Sequence, residues 1–209
     1  MVAFAISILG SIDKAFHPQP INYSNIRLGL GLLDEAITLA LFFVLFKRQG
    51  WQLQNIGFSF HWTDLPKALG LTLASFTAMW AMIVTTRSVY FLMTSRAMHD
   101  DGPRSNFLAT SLWLVLPFLV LNAFFEEVIV RGYFMTELIE LRKSVVLAAV
   151  ISLAVQTSYH LYYGVYGAAM VGCGLSIFAI YYAKSRRLMP VILAHMLWDF
   201  TTVLAKMHR

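Results

Sequence analysis

Glu126 and Glu127 stand side by side at the end of a strongly apolar run, with Arg131 following one helical turn later. His160 closes the next apolar segment, and the last one carries His195 and Asp199 four positions apart. Carboxylates are expensive inside a bilayer, so each one there is a functional-site hypothesis by default. Carboxyl and imidazole groups are the usual carriers of protons in catalysis. Glu126, His160, His195 and Asp199 are also acceptable zinc ligands. Three kinds of chemistry are open to such a set: acid–base activation of water, the same with a metal, or a proton or ion path.

On a helix Glu127 and Arg131 share a face, with the acid on the N-terminal side, the favourable order for an ion pair. Glu126 points about 100° away. One carboxylate is then a paired anchor while its neighbour stays free for chemistry. The plain structural alternative is a salt bridge at a helix end, with Glu126 facing water. For a lone histidine in a membrane helix, that alternative is an interhelical hydrogen bond. Depth brings the groups together. Counting from a hairpin tip near Arg142, Glu126 lies about 16 residues back and His160 about 18 forward, which are similar depths at ~1.5 Å per residue. His195 lies only about eight residues past the turn at Arg187, roughly 12 Å. It reaches the same level only if the 131–150 hairpin protrudes or the helices tilt. His17, His61, His99 and His208 fall in loops or at the terminus and read as solvated.

The elements that must hold these groups are membrane helices. Of the 209 residues 58% are hydrophobic and 13% charged, with mean hydropathy +0.66; a soluble domain carries about a quarter charged residues. The pattern predicts an all-α, polytopic membrane helical bundle: one membrane domain over 1–209, with accessory helices in 1–106 and the chemistry in a core at 107–205. Apolar runs long enough to span predict about six transmembrane helices, near 27–46, 67–93, 107–141, 144–162, 165–183 and 188–205, with Pro117 kinking the third. Met1 to Ile12 reads as an interfacial or partial helix rather than a signal peptide, and Trp51 to Trp62 as an interfacial stretch. Asp34 and Glu35 read as first-turn acids favoured by the helix N-terminus. The single Cys173 lies in an apolar run and builds no disulfide framework. The net charge of +5 sits in loops. It puts the 184–187 turn in the cytoplasm and the 95–106 loop outside, and with no recognisable motif it argues against nucleic acid as a partner.

The EExxxR run of Glu126 to Arg131, the histidine ending the next span and the HxxxD of His195 to Asp199 together resemble the CPBP family. It comprises CAAX prenyl endopeptidases, bacteriocin-processing and immunity proteins and related "Abi" membrane proteases. The likeness covers about 107–204. It implies an intramembrane peptidase in which Glu126 is the general base, His160 orients the water or stabilises charge, and His195 and Asp199 face the oxyanion. Glu127 and Arg131 would support the helix that carries the base. Gln156 stands where the family more often has Phe, a change expected to alter packing alone. Asp199 stands where it often has Asn. An ionised Asp cannot donate to an oxyanion, so it must be protonated, polarise His195 or bind a metal.

Under this reading the partners are the lipid bilayer and a peptide or membrane-protein substrate, and the setting is a prokaryotic cell membrane. A metal-free glutamate mechanism is favoured and zinc is the variant, since there is no HExxH segment to make zinc the default. The competing functions are a non-proteolytic bacteriocin-immunity or regulatory membrane protein, and a transporter or proton relay. The relay draws on Asp34 and Glu35 but lacks the expected internal repeat.

Overall fold

The computed structural model describes residues 9–12, 14–16, 21–98, 105–106, 110–141 and 144–207. The helices are α1 (Asn25–Arg48), α2 (Asp64–Thr94), α3 (Leu112–Glu140), α4 (Val145–Tyr159), α5 (Gly164–Ser185) and α6 (Met189–Met207). Two-residue strands, β1 (Ile21–Asn22) and β2 (Ser105–Asn106), pair in parallel. α1, α2, α3 and the stretch Leu161–Ser185 are long and apolar enough to cross a membrane, and α4 and α6 are shorter apolar helices. The chain is an all-α helical membrane bundle.

The side chains show which faces meet lipid. On α1, Ile26, Leu30, Leu33, Ile37, Leu41 and Val44 recur at three- and four-residue spacing, and all are exposed. That periodicity makes one continuous apolar stripe, far more apolar surface than a soluble monomer leaves bare. α2 and α5 pack on each other, α2 and α6 likewise, α4 lies on α5, and α3 is bounded by α1 and α6. The largest buried cluster joins Phe178 and Tyr182 of α5 to Val191, Ile192 and Trp198 of α6.

α3 is not one uniform helix. Its first part, Leu112–Glu127, is α-helical through Pro117; Val128–Met135 is wound as a π-helix, and Thr136–Glu140 returns to α. The π run begins directly after the glutamate pair. Such windings occur mostly as single turns and often at functional sites, so eight residues of it are unusual.

Two close approaches set α6. A Cβ on Gly174 would overlap the Trp198 ring, so only glycine lets that ring lie on the α5 backbone. Trp198 also stacks on Phe76 of α2, with centroids 4.8 Å apart. At the α5–α6 turn, Gly57 adopts φ +68° and accepts a hydrogen bond from Leu188 N at 3.0 Å. Its missing Cβ leaves room for the Arg186 backbone. Arg187 of the same turn pairs with the buried Asp64 at the start of α2 at 2.8 Å and meets His61 Nδ1 at 2.6 Å. His61 is exposed, as expected, yet not merely solvated. His17, His99 and His208 lie outside the described residues, as do residues 99–104 of the 95–106 loop.

Candidate active site

Adjacent positions on a helix point about 100° apart, and the glutamate pair uses that angle to reach two different neighbours. Glu126 faces α4. Its Oε2 accepts hydrogen bonds from Tyr159 Oη at 2.6 Å and Gln156 Nε2 at 3.1 Å. Among the described residues its Oε1 has only Asn122 Nδ2 at 3.4 Å, beyond the usual range for an N–H···O bond. Glu127 faces α6 instead. Its Oε1 accepts from Arg131 Nη1 at 2.9 Å and meets His195 Nδ1 at 2.7 Å. Glu127 and Arg131 are completely inaccessible to solvent, and Arg131 Nη2 reaches the Leu175 carbonyl of α5 at 3.4 Å. The expected ion pair of Glu127 with Arg131 is found, while Glu126 has hydrogen-bond partners of its own.

His160 ends α4 at φ −87°, ψ 0°, before the 3-10 turn Leu161–Tyr163 and Gly164. That backbone region is sparsely allowed and frequent at active sites. The His160 Nδ1 lies 2.8 Å from the Gln156 carbonyl oxygen. A carbonyl can only accept, so Nδ1 carries the hydrogen and a neutral ring leaves Nε2 as an acceptor. The ring lies between Tyr159 and the pair Tyr162 and Tyr163, with centroids 4.7, 5.9 and 6.1 Å away. His195 presents its other nitrogen, Nε2, to Asp199 Oδ1 at 3.8 Å.

The level mismatch expected for His195 is absent, since its ring touches Glu127. Tyr182 of α5 bonds Thr136 of α3 at 2.7 Å, so the end of α3 runs on beside the α5–α6 turn and past it. The π winding also changes the rise and rotation of α3 between Thr136 and the glutamates.

Glu126, His160, His195 and Asp199 line one cavity of about 580 Å³, and Asn122, Tyr159 and Tyr163 share its wall. Two sequence expectations need correction. Gln156 does not act through packing alone, because its carboxamide donates to Glu126. Asp34 and Glu35 are not first-turn acids: the first turn of α1 holds no acid, and both residues line this cavity about ten positions along. Residues 9–12 and 14–16 are helical and come close to the site, with Ser11 donating to the Tyr159 carbonyl at 3.0 Å.

Asn122 and Tyr159 carried no motif that singled them out, and Gln156 was noted only as a packing change. Helical spacing could have marked two of them: Asn122 lies four before Glu126, and Gln156 four before His160. Among the described residues no three His, Cys, Asp or Glu side chains group as metal ligands. His160 and His195 each have Nδ1 engaged and keep Nε2 available.

Residues 108–201 match the family model described as type II CAAX prenyl endopeptidase Rce1-like. No curated protein and no solved structure matches the chain.

Proposed function

The domain over residues 108–201 belongs to the Rce1-like family of CAAX prenyl endopeptidases, and from that premise we propose that this integral membrane protein is an endopeptidase working through a glutamate-activated water. The substrate is a peptide or membrane-associated protein whose scissile bond enters the cavity between α3, α4 and α6. The observation that carries this reading is the asymmetry of Glu126. One oxygen is held by Tyr159 and Gln156, the other has only the long contact to Asn122 among the described residues, and the residue lines the cavity.

Water bound there donates one hydrogen to Glu126 Oε1 and the other to His160 Nε2. The two acceptors fix its lone pair toward the substrate carbonyl. As the water oxygen bonds to the carbonyl carbon, Glu126 takes its proton. The carbonyl electron pair moves onto oxygen, and this oxyanion needs donors already in place. His195 supplies one. In its imidazolium form Nδ1 donates to Glu127 and Nε2, beside Asp199, donates into the cavity. Asp199 therefore serves by orienting His195, which a carboxylate can do and direct donation to the oxyanion is not. Arg131 neutralises Glu127 and holds it against α5, keeping His195 at a fixed depth.

The test is to incubate the purified protein in detergent or liposomes with a proteome-derived peptide library and read new termini by mass spectrometry. The wild type is expected to cut. Glu126→Gln and His160→Ala should each lose about 10²–10⁴-fold in rate while remaining monodisperse and inserted. Undiminished cutting by Glu126→Gln would remove that carboxylate from the role of base.

A further inference from the structure

The reaction above leaves one carboxyl in the cavity unused. Glu35 stands on α1, outside the Rce1-like domain, and lines the same cavity as Glu126, His160 and Asp199. The contacts between α1 and α3 give its depth. Ser111 N donates to Asn25 Oδ1 at 2.8 Å, and Gly31 lies against the Phe118 ring. Farther along, Phe42 meets Tyr133 edge-on at 5.3 Å. The two helices thus run parallel, and the first two pairs keep an offset of about 87 positions. Carried forward at equal rise per residue, that offset brings Glu35 level with Asn122. Asn122 lines the cavity with Glu126 and Asp199, and its Nδ2 lies 3.4 Å from Glu126 Oε1.

Among the described residues Glu35 makes no ion pair, and its Oε2 is buried without a hydrogen-bond partner. Asp34 on its own helix, Glu126 from α3 and Asp199 from α6 line the same cavity, as do Tyr23, Lys14, Arg27, His160 and His195. Carboxyls crowded into a water-poor site share protons instead of all ionising, so this set holds a proton that can be transferred. Peptide hydrolysis needs one. The amine nitrogen leaves from a different corner of the tetrahedral carbon than the one the water entered, and it cannot depart as an amide anion. Glu126 has a single free oxygen, and that oxygen is turned to the water.

We propose that Glu35 is the general acid of the reaction, giving its proton to the leaving nitrogen. The inference rests on the peptidase reading. Glu126 holds the water's proton when the tetrahedral intermediate collapses. The oxyanion pair returns to carbon, the C–N bond breaks and its electrons go to nitrogen, which takes the proton of the Glu35 carboxyl. The products are a carboxylic acid and an amine. Glu35 is left as carboxylate and Glu126 protonated, and passage of that proton through cavity water to Glu35 restores the resting state. Two carboxyls with opposite tasks set by their surroundings are a recurring solution to acid–base catalysis.

Leaving-group dependence separates this role from a structural one. A peptide found to be cut in the library screen is made with its ordinary amide and, for the same acyl fragment, as a nitrophenyl ester. Nitrophenolate departs without needing a proton. Glu35→Gln is expected to lose about 10²–10⁴-fold in kcat on the amide, with KM and ester turnover kept within about threefold of wild type. Glu35→Asp, which keeps the acid on a shorter arm, should recover part of the amide rate. Parallel loss on amide and ester would overturn the proposal, as would an amide rate that Glu35→Gln leaves intact. Should Glu35→Gln fail to fold, Glu35→Asp carries the test, and an unchanged amide-to-ester ratio there overturns it. A wild type that cuts no peptide would instead remove the peptidase reading, and this proposal with it.

Discussion

Glu127 and Arg131 are adjacent charges with no access to water, and their worth differs from that of the groups proposed as catalytic beside them. Breaking a buried pair from one side leaves the other charge uncompensated, at about 3–5 kcal/mol. Arg131→Ala and Glu127→Ala should therefore lower the thermal midpoint as well as the rate, and replacing both by apolar residues should destabilise less than Arg131→Ala alone. Glu126→Gln should separate the two effects by losing rate with little change in midpoint. Gln156→Phe removes one hydrogen bond to a carboxylate, worth about 1.5–3 kcal/mol, so a rate loss of about tenfold or more is expected. A strong chelator should leave turnover unchanged; loss that zinc restores would make the metal variant the correct one. The charged members of this site were legible because ionisable groups are rare in apolar runs. Asn122, Gln156 and Tyr159 were not, since an amide or phenol in a membrane helix is equally at home bonding to a neighbouring backbone.

At the level of elements, six apolar runs interrupted by charges and turn residues marked the helices closely: the second, expected over 67–93, is Asp64–Thr94. Winding was not legible. Nothing in Val128–Met135 distinguishes π from α by propensity, and the segment packs against α4 and the Leu53–Ile56 turn, contacts that propensity does not encode. Asp34 and Glu35 were misplaced because the helix begins at Asn25, capped by Ser24, whose side chain accepts from Arg27 N at 3.2 Å. The glycines that let elements meet closely offer the sharpest tests. Gly174→Val must push Trp198 away and with it the turn of α6 bearing His195 and Asp199. A loss of about 1–3 kcal/mol in stability should accompany a fall in rate, read by thermal melting and peptide turnover on the same sample. Gly57→Ala meets both a left-handed backbone and the Arg186 carbonyl, and should loosen the α5–α6 turn comparably.

The whole molecule has an apolar stripe outside and Asp64, Glu126, Glu127 and Arg131 buried within, the inverse of a water-soluble protein. Ile37 is half exposed on that stripe, near the middle of α1. On a soluble surface Ile37→Arg would be nearly neutral. Here it should cost about 2.5–3.5 kcal/mol of insertion free energy, visible as reduced membrane-integrated protein against an equivalent change at the exposed Gln49. Composition alone made this lipid-facing exterior legible. Which helices close around the glutamates was not, since that follows from how the apolar faces pair. The wall that α1 gives the chamber has a practical corollary. A fragment trimmed to residues 108–201 would keep every residue of the recognisable motif, yet hold it in an open gutter with lipid along one flank. Anyone grafting or shortening this protein by its motif boundaries should expect a folded remnant that has lost its dry room for chemistry.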